Sequence, residues 1–143
     1  MRRIGFGTLV AAVTIAGGVA LGLGDTTVAE GRTVKTARVL AQSDQVASGQ
    51  QLYARMCAMC HGDSGEGIDD APPLMGPRTQ LADYRTAARA YSFISSEMPQ
   101  DEPGSLSSQQ YYDILAYILD QNGMNPSGEP VNQSTAANIS LAP

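Results

Sequence analysis

The residues most suited to chemistry are two cysteines and a histidine that stand together as Cys57-Ala58-Met59-Cys60-His61. They are the only cysteines and the only histidine of the 143-residue chain. The C-x-x-C-H spacing is typical of covalent haem attachment, in which two thiols add to the haem vinyl groups and the histidine binds the iron. The motif therefore predicts Cys57 and Cys60 as attachment sites and His61 as an iron ligand.

Two other kinds of chemistry use similar motifs. A redox-active dithiol of the thioredoxin type needs its C-x-x-C at the start of a helix on a βαβ scaffold. Here the cysteine pair ends a helical pattern, and no strand pattern precedes it. A structural zinc site needs four ligands, usually Cys or His, and this chain offers three within five residues. Both alternatives stay open, and haem attachment is favoured.

A six-coordinate haem iron needs a second axial ligand. The chain has no second histidine, so a methionine thioether is the best remaining candidate. Met98 follows an apolar helical pattern and precedes Pro99, which predicts a constrained loop. The methionines within or beside the motif cannot reach across the ring. We therefore expect Met98 as the ligand, and Met75 is the main alternative. A methionine that is not a ligand would instead fill space in the core.

The region from 44 to 124 carries the helical patterns that would position these residues. Asp44 is a candidate N-cap of a helix that runs into Cys57. Gly49 and Tyr53 lie one turn apart on that helix, and a glycine there would let a second helix approach closely. A shorter helical region covers 79–96, and a final helix begins after Ser105 or Ser107 and ends at Asn122-Gly123. No alternating pattern competes, so the fold class is all-α.

The rest of the chain divides into three segments. Residues 1–29 predict a signal peptide or an N-terminal membrane anchor, because Arg2 and Arg3 precede an uncharged run from Ile4 to Gly24. Residues 30–43 predict a linker without sustained period. Residues 125–143 predict a polar C-terminal tail that is disordered or lies on the surface.

The charge balance limits the partners. The chain has 9 Lys and Arg against 14 Asp and Glu, a net charge of −5, which argues against nucleic acid as a partner. From Ser43 onward the net charge is −8, and the segment contains no lysine. We expect a partner that is basic or that uses apolar contact. Alternatively, the acidic residues form a solvated surface that binds no partner. Arg78 is a candidate partner for a haem propionate.

Residues 46–124 resemble the class I c-type cytochromes of the bacterial single-haem kind. The resemblance is carried by GQQLY at 49–53 before the CAMCH motif, by APPL at 71–74, SEMP at 96–99, PGSLS at 103–107 and DILAYIL at 113–119. It implies a small cytochrome c fold, with N- and C-terminal helices crossing beside one covalently bound haem c.

The resemblance also implies roles for single residues. Cys57 and Cys60 would form the thioethers, and His61 and Met98 would be the axial ligands. A carbonyl oxygen of Pro72 or Pro73 would accept a hydrogen bond from His61 Nδ1, and Leu74 would pack on the haem. The acidic residues between His61 and Pro72 depart from the family pattern: Asp63, Glu66, Asp69 and Asp70.

Electron transfer follows from this ligation, because two filled axial positions leave no place for a substrate and Met/His ligation raises the reduction potential. We expect an electron carrier rather than an enzyme, in the periplasm or on the outer face of the cytoplasmic membrane. Its donor would be a dehydrogenase or a quinol-oxidising complex, and its acceptor an oxidase, a reductase or a reaction centre. The alternatives are a dedicated cytochrome subunit of a periplasmic dehydrogenase or of a respiratory or photosynthetic complex, and a haem ligand sensor with displaceable Met98.

Overall fold

A computed structural model of the chain describes residues 27–142, with side-chain placement from residue 33 onward. Four α-helices form this part: α1 (Thr27–Met56), α2 (Ala58–His61), α3 (Ala87–Glu97) and α4 (Ser108–Gln121). Short 3-10 helices cover Leu81–Tyr84 and Ala136–Asn138. The described residues contain no strand, only an isolated antiparallel bridge between Thr86 and Ser140. The all-α prediction is therefore confirmed.

The core forms where α1 crosses α4. Gly49 is buried at the crossing, and a Cβ atom at this position would overlap the backbone carbonyl oxygen of Asp113. One turn further along α1, the ring of Tyr53 contacts the ring of Tyr117, with centroids 5.4 Å apart. The close approach expected from Gly49 and Tyr53 is therefore present, and it fixes the end of α1 that carries the cysteine motif.

Helix α1 is longer than its apolar pattern predicts. Residues 30–43, which were predicted as a linker, continue the helix, so the prediction of Asp44 as an N-cap is wrong. No proline interrupts Thr27–Met56, and extending an existing helix adds one hydrogen bond per residue without a new nucleus. In this N-terminal part of α1 the apolar side chains do not pack into the core: Val34 and Leu40 are 54% and 60% exposed. The sequence therefore shows no apolar face that would predict a helix here.

Side-chain caps begin α3 and α4. The Thr86 hydroxyl accepts a hydrogen bond from the Arg89 amide at the start of α3. Ser107 and Gln110 form a capping box at the start of α4, so Ser107 is the cap, of the two serines considered. The two helices contact each other through side chains such as Tyr91 of α3 and Tyr112 of α4, whose rings stack 4.0 Å apart.

The C-terminal segment 125–142 packs into the core, so the prediction of a tail that is disordered or lies on the surface is wrong. Val131 is fully buried, and its N–H and C=O both pair with the side-chain amide of Gln45 at 2.8 Å. Further along, the carbonyl oxygen of Ile139 accepts a hydrogen bond from the Ala87 amide at the start of α3. The prediction missed this packing because the buried residues here follow neither a helical nor a strand period. Segment 125–142 therefore fastens α1 to α3.

The leader was predicted at residues 1–29. Residues 1–26 lie outside the described residues, and positions 27–29 begin α1. Between residues 27 and 142, no helix combines the length and the apolar character that a membrane span requires.

Candidate haem-binding site

The cysteine motif directly follows α1, with Cys57 as the N-cap of α2 and the rest of the motif forming α2. The carbonyl oxygen of Cys57 accepts hydrogen bonds from the Cys60 amide at 3.1 Å and from the His61 amide at 2.9 Å. This turn brings both thiols and the imidazole to one end of α1. Cys57 is half-buried, Cys60 is exposed and His61 is buried, and neither cysteine forms a disulfide.

The imidazole of His61 is held by the proline loop that follows it. Its Nδ1 lies 2.9 Å from the carbonyl oxygen of Pro72, one of the two acceptors that the resemblance implies. A carbonyl oxygen can only accept, so this hydrogen bond requires the proton on Nδ1. In the neutral ring, the other nitrogen, Nε2, then keeps its lone pair for a metal ion.

Two contacts shape the proline loop around His61. Gly67 adopts a φ of +80°, and a Cβ atom there would overlap the carbonyl oxygen of Ala71, so a side chain would push the loop away. At the other end, Asn122, the C-cap residue of α4, accepts a hydrogen bond from the Gly76 amide at 3.0 Å and donates one to the carbonyl oxygen of Leu74 at 2.9 Å. Helix α4 therefore holds the loop that holds His61.

Met98 lies directly after α3, half-buried. Its amide donates to the carbonyl oxygen of Ile94 at 3.1 Å, as the last hydrogen bond of that helix. Its own carbonyl oxygen accepts a hydrogen bond of 2.6 Å from the Tyr111 hydroxyl of α4. The backbone of Met98 is thus held by two helices, while its thioether is not among the half-buried side chains that pack against the described core.

The alternative thioethers are used in packing. Met75 lies so close to Gly65 that a Cβ there would be 2.8 Å from the sulfur, and Gly65 belongs to the loop after His61. Met75 and Met124 are both half-buried side chains that pack against the core. Met59, within the motif, is 81% exposed.

The cysteine pair lacks the electrostatics of a redox-active dithiol. Burial, and to a smaller extent the neighbouring Cys60, raises the pKa of the Cys57 thiol to about 11. Redox-active C-x-x-C motifs lower this pKa, because the thiolate is the reactive form. As for zinc, within residues 33–142 no three His, Cys, Asp or Glu side chains converge to hold a metal ion.

The surroundings of the motif are strongly acidic. Asp63, Glu66, Asp69 and Asp70 are all exposed on the loop between His61 and Pro72. Arg78 is exposed on the turn after Pro77, and Leu74 is half-buried against the core. The role of Arg78 toward a propionate and that of Leu74 toward the haem stay predictions.

Three positioning contacts were not predicted from the sequence. Tyr53 donates a hydrogen bond to the carbonyl oxygen of Gly62 at 2.9 Å, and burial raises the pKa of its phenol. The other two are the hydrogen bonds described above: Tyr111 bonds a residue 13 positions earlier in the chain, and Asn122 bonds residues 46 and 48 positions earlier. Buried tyrosines need a partner for the hydroxyl, but nothing in the sequence identifies which carbonyl accepts it.

Comparison with known proteins relates this site to a family. Residues 44–118 match the family described as "Cytochrome C oxidase, cbb3-type, subunit III". The chain is 34% identical over 100 residues to a thiosulfate dehydrogenase of Allochromatium vinosum, covering 64% of this chain and 37% of that one. It is 39% identical over 80 residues to a thiosulfate dehydrogenase of Psychrobacter arcticus, covering 50% and 24%.

A solved structure shares the fold. The sulfane dehydrogenase SoxCD from Paracoccus pantotrophus aligns with a TM-score of 0.56 and 29% identity, over 67% of this chain and 52% of that chain. The chain spans only 24–37% of the length of the curated relatives it matches. The likeness therefore concerns one domain of larger proteins.

Proposed function

Since this chain belongs to the c-type cytochrome family described as cbb3-type cytochrome c oxidase subunit III, we propose that it binds one haem c and passes single electrons between redox proteins. One C-x-x-C-H motif uses every cysteine and the only histidine, which supports a single haem. When bound, haem c supplies a one-electron iron couple. The residues of the chain bind it, orient it and limit access to the metal.

The donor set fits a covalently bound haem. The free thiols of Cys57 and Cys60 stand at the required spacing on one turn. The observation that carries the proposal is the hydrogen bond from His61 Nδ1–H to the carbonyl oxygen of Pro72, because it orients the ring and leaves Nε2 as a lone-pair donor. Met98, half-buried and held through its backbone, would bind the iron through sulfur.

Iron ligation by both His61 and Met98 would suit electron transfer rather than catalysis. If His61 and Met98 both held the iron, no coordination site would stay open for a substrate, and such Met/His ligation would raise the reduction potential. The test compares Met98→Ala with Met75→Ala in haem-loaded full-length protein, by carbon monoxide binding to the ferrous form. We expect binding to be poor in the parent and in Met75→Ala, and ready in Met98→Ala.

The outcomes of this test separate the alternatives. Ready binding in Met75→Ala with poor binding in Met98→Ala would identify Met75 as the ligand. Ready binding in the parent would favour a ligand sensor over an electron carrier. The matched methionine variant controls for the loss of a thioether as such.

A second, narrower function is a cytochrome subunit that accepts electrons from a sulfur-oxidising dehydrogenase. Two observations favour it: curated relatives are thiosulfate dehydrogenases, and SoxCD, a sulfane dehydrogenase, shares the fold at 29% identity. The chain would then supply the electron-accepting module, while a partner oxidises the sulfur compound. An acidic surface without lysine after Ser43 fits a basic docking face on that partner.

Anaerobic visible spectroscopy tests this assignment. We expect thiosulfate alone to reduce the ferric protein slowly, and a thiosulfate-oxidising dehydrogenase from the same cells to accelerate the reduction. The acceleration should weaken as salt is added, because opposite charges would attract the two proteins. If the dehydrogenase leaves the rate unchanged, the protein serves another donor.

We also propose an exported location. Arg2 and Arg3 before the run from Ile4 to Gly24 are typical of an export leader or anchor. Cell fractionation should recover the haem-stained protein in the periplasmic or the membrane fraction, and recovery in the cytoplasm would contradict the proposal.

A further inference from the structure

Tyr111 of α4 holds the backbone of Met98, the iron ligand proposed above. Its side chain is 3% exposed on the first turns of α4. Its hydroxyl donates the 2.6 Å hydrogen bond to the carbonyl oxygen of Met98. The contact spans 13 residues of chain, from α4 back to the end of α3.

This hydrogen bond completes the backbone pairing of Met98. The Met98 amide is held by Ile94 of α3, and its carbonyl oxygen is held by Tyr111 of α4. Without the phenol hydroxyl, a partly buried carbonyl oxygen loses its partner, and the loop that begins at Pro99 loses its attachment to α4. Such a loss favours movement of the loop.

The ring of Tyr111 is itself fixed. It lies edge-on to the ring of Tyr91 of α3, with centroids 6.5 Å apart and planes at 90°. Tyr91 in turn stacks on Tyr112 at 4.0 Å. This cluster lies between α3 and α4, so the Tyr111 hydroxyl has little freedom to point elsewhere.

We propose that Tyr111 is a positioning residue that keeps Met98 on the haem iron. The inference rests on the proposed function, in that Met98 must be the axial ligand. In this arrangement α4 fastens both sides of the site: Tyr111 holds the methionine loop, and Asn122 holds the proline loop beside His61.

The test compares Tyr111→Phe with Tyr112→Phe in haem-loaded full-length protein. Both variants keep a buried aromatic ring beside Tyr91 and lose one hydroxyl, but only Tyr111 reaches Met98. We measure the rate of carbon monoxide binding to the ferrous form, the ferric charge-transfer band of methionine ligation, and the thermal midpoint.

We expect carbon monoxide to bind between about two- and tenfold faster in Tyr111→Phe, the factor that corresponds to one hydrogen bond of ordinary net strength. The methionine band should weaken in the same variant, and Tyr112→Phe should match the parent in both readouts. An equal binding rate in parent and Tyr111→Phe overturns the proposal, even if Tyr111→Phe is less stable, because a merely structural role would lower the thermal midpoint alone.

A second variant and the parent protein's own readouts distinguish the remaining outcomes. If Tyr111→Phe does not fold, 3-fluorotyrosine at position 111 keeps the hydroxyl and makes it a stronger donor, and carbon monoxide should then bind more slowly than in the parent; an unchanged or faster rate overturns the proposal. If the parent lacks the methionine band and binds carbon monoxide as readily as Met98→Ala, the proposed ligand fails. If the parent shows the band and only the Tyr111 effect is missing, the positioning role alone fails.

Discussion

Replacing Gly49 by alanine tests the helix crossing that supports the site. A Cβ atom at residue 49 would overlap the backbone carbonyl oxygen of Asp113 and lie 2.9 Å from the Tyr117 Cβ atom. The overlapped atom belongs to the backbone of α4, so no side-chain rotation relieves it. The two helices must separate, and the contact between the rings of Tyr53 and Tyr117 must loosen.

The magnitude follows from two opposing effects. Alanine stabilises a helix interior by about 1 kcal/mol relative to glycine. Inserting a methyl group into a closely packed contact costs about 1–3 kcal/mol, and a backbone obstacle favours the upper end. We therefore expect Gly49→Ala to lower the free energy of unfolding by about 2 kcal/mol.

The assay is guanidinium denaturation of the haem-loaded protein, followed by far-UV circular dichroism. Ser48→Ala is the matched control, because Ser48 is the exposed neighbour on the same helix; it should be neutral or gain up to about 0.5 kcal/mol. If Gly49→Ala proves as stable as the parent, α1 and α4 do not touch at this residue, and the reasoning about the crossing is wrong.

Three further changes test other parts of the account. Gln45→Ala should cost about 2–3 kcal/mol of stability, because it removes the amide that pairs with the buried backbone of segment 125–142. The control is Gln109→Ala, because both glutamines also donate to the carboxylate of Asp113 and Gln109 loses only this exposed hydrogen bond. Gln109→Ala should cost less than about 0.5 kcal/mol, and equal losses for the two variants in urea denaturation would contradict the packing. Asn122→Ala should cost about 1–3 kcal/mol in the same assay by freeing the loop next to His61, and an unchanged midpoint would show that α4 does not hold it. Without covalent haem, Cys57→Ser/Cys60→Ser should lose most of its helical circular dichroism, because a domain of about 100 residues buries a limited core. Full helix content that melts cooperatively would count against this.

The parts of the fold that follow local rules could be predicted from the sequence. Ser107 caps α4 through a side-chain pattern that is visible in the residues, and Gly49 marks the helix crossing because only glycine allows such a close approach. The cysteine motif is equally local, since its chemistry depends on the spacing of three side chains.

The remaining parts depend on contacts between distant residues. Residues 30–43 are helical although their apolar residues are exposed, so no periodicity reveals the helix. Val131 is buried, and its backbone pairs with the side-chain amide of Gln45, 86 residues earlier in the chain. Tyr111 has the pattern of an ordinary core residue on α4, and only the folded chain brings its hydroxyl to Met98.

The intact mass of the protein from its own cells, measured after the protein has been unfolded, tests the central claim most directly. We predict a mass equal to that of the polypeptide plus one haem, retained after unfolding because Cys57 and Cys60 hold the haem covalently. The Cys57→Ser/Cys60→Ser variant should show the polypeptide mass alone. A colourless native product with two free thiols and no added mass would contradict the account.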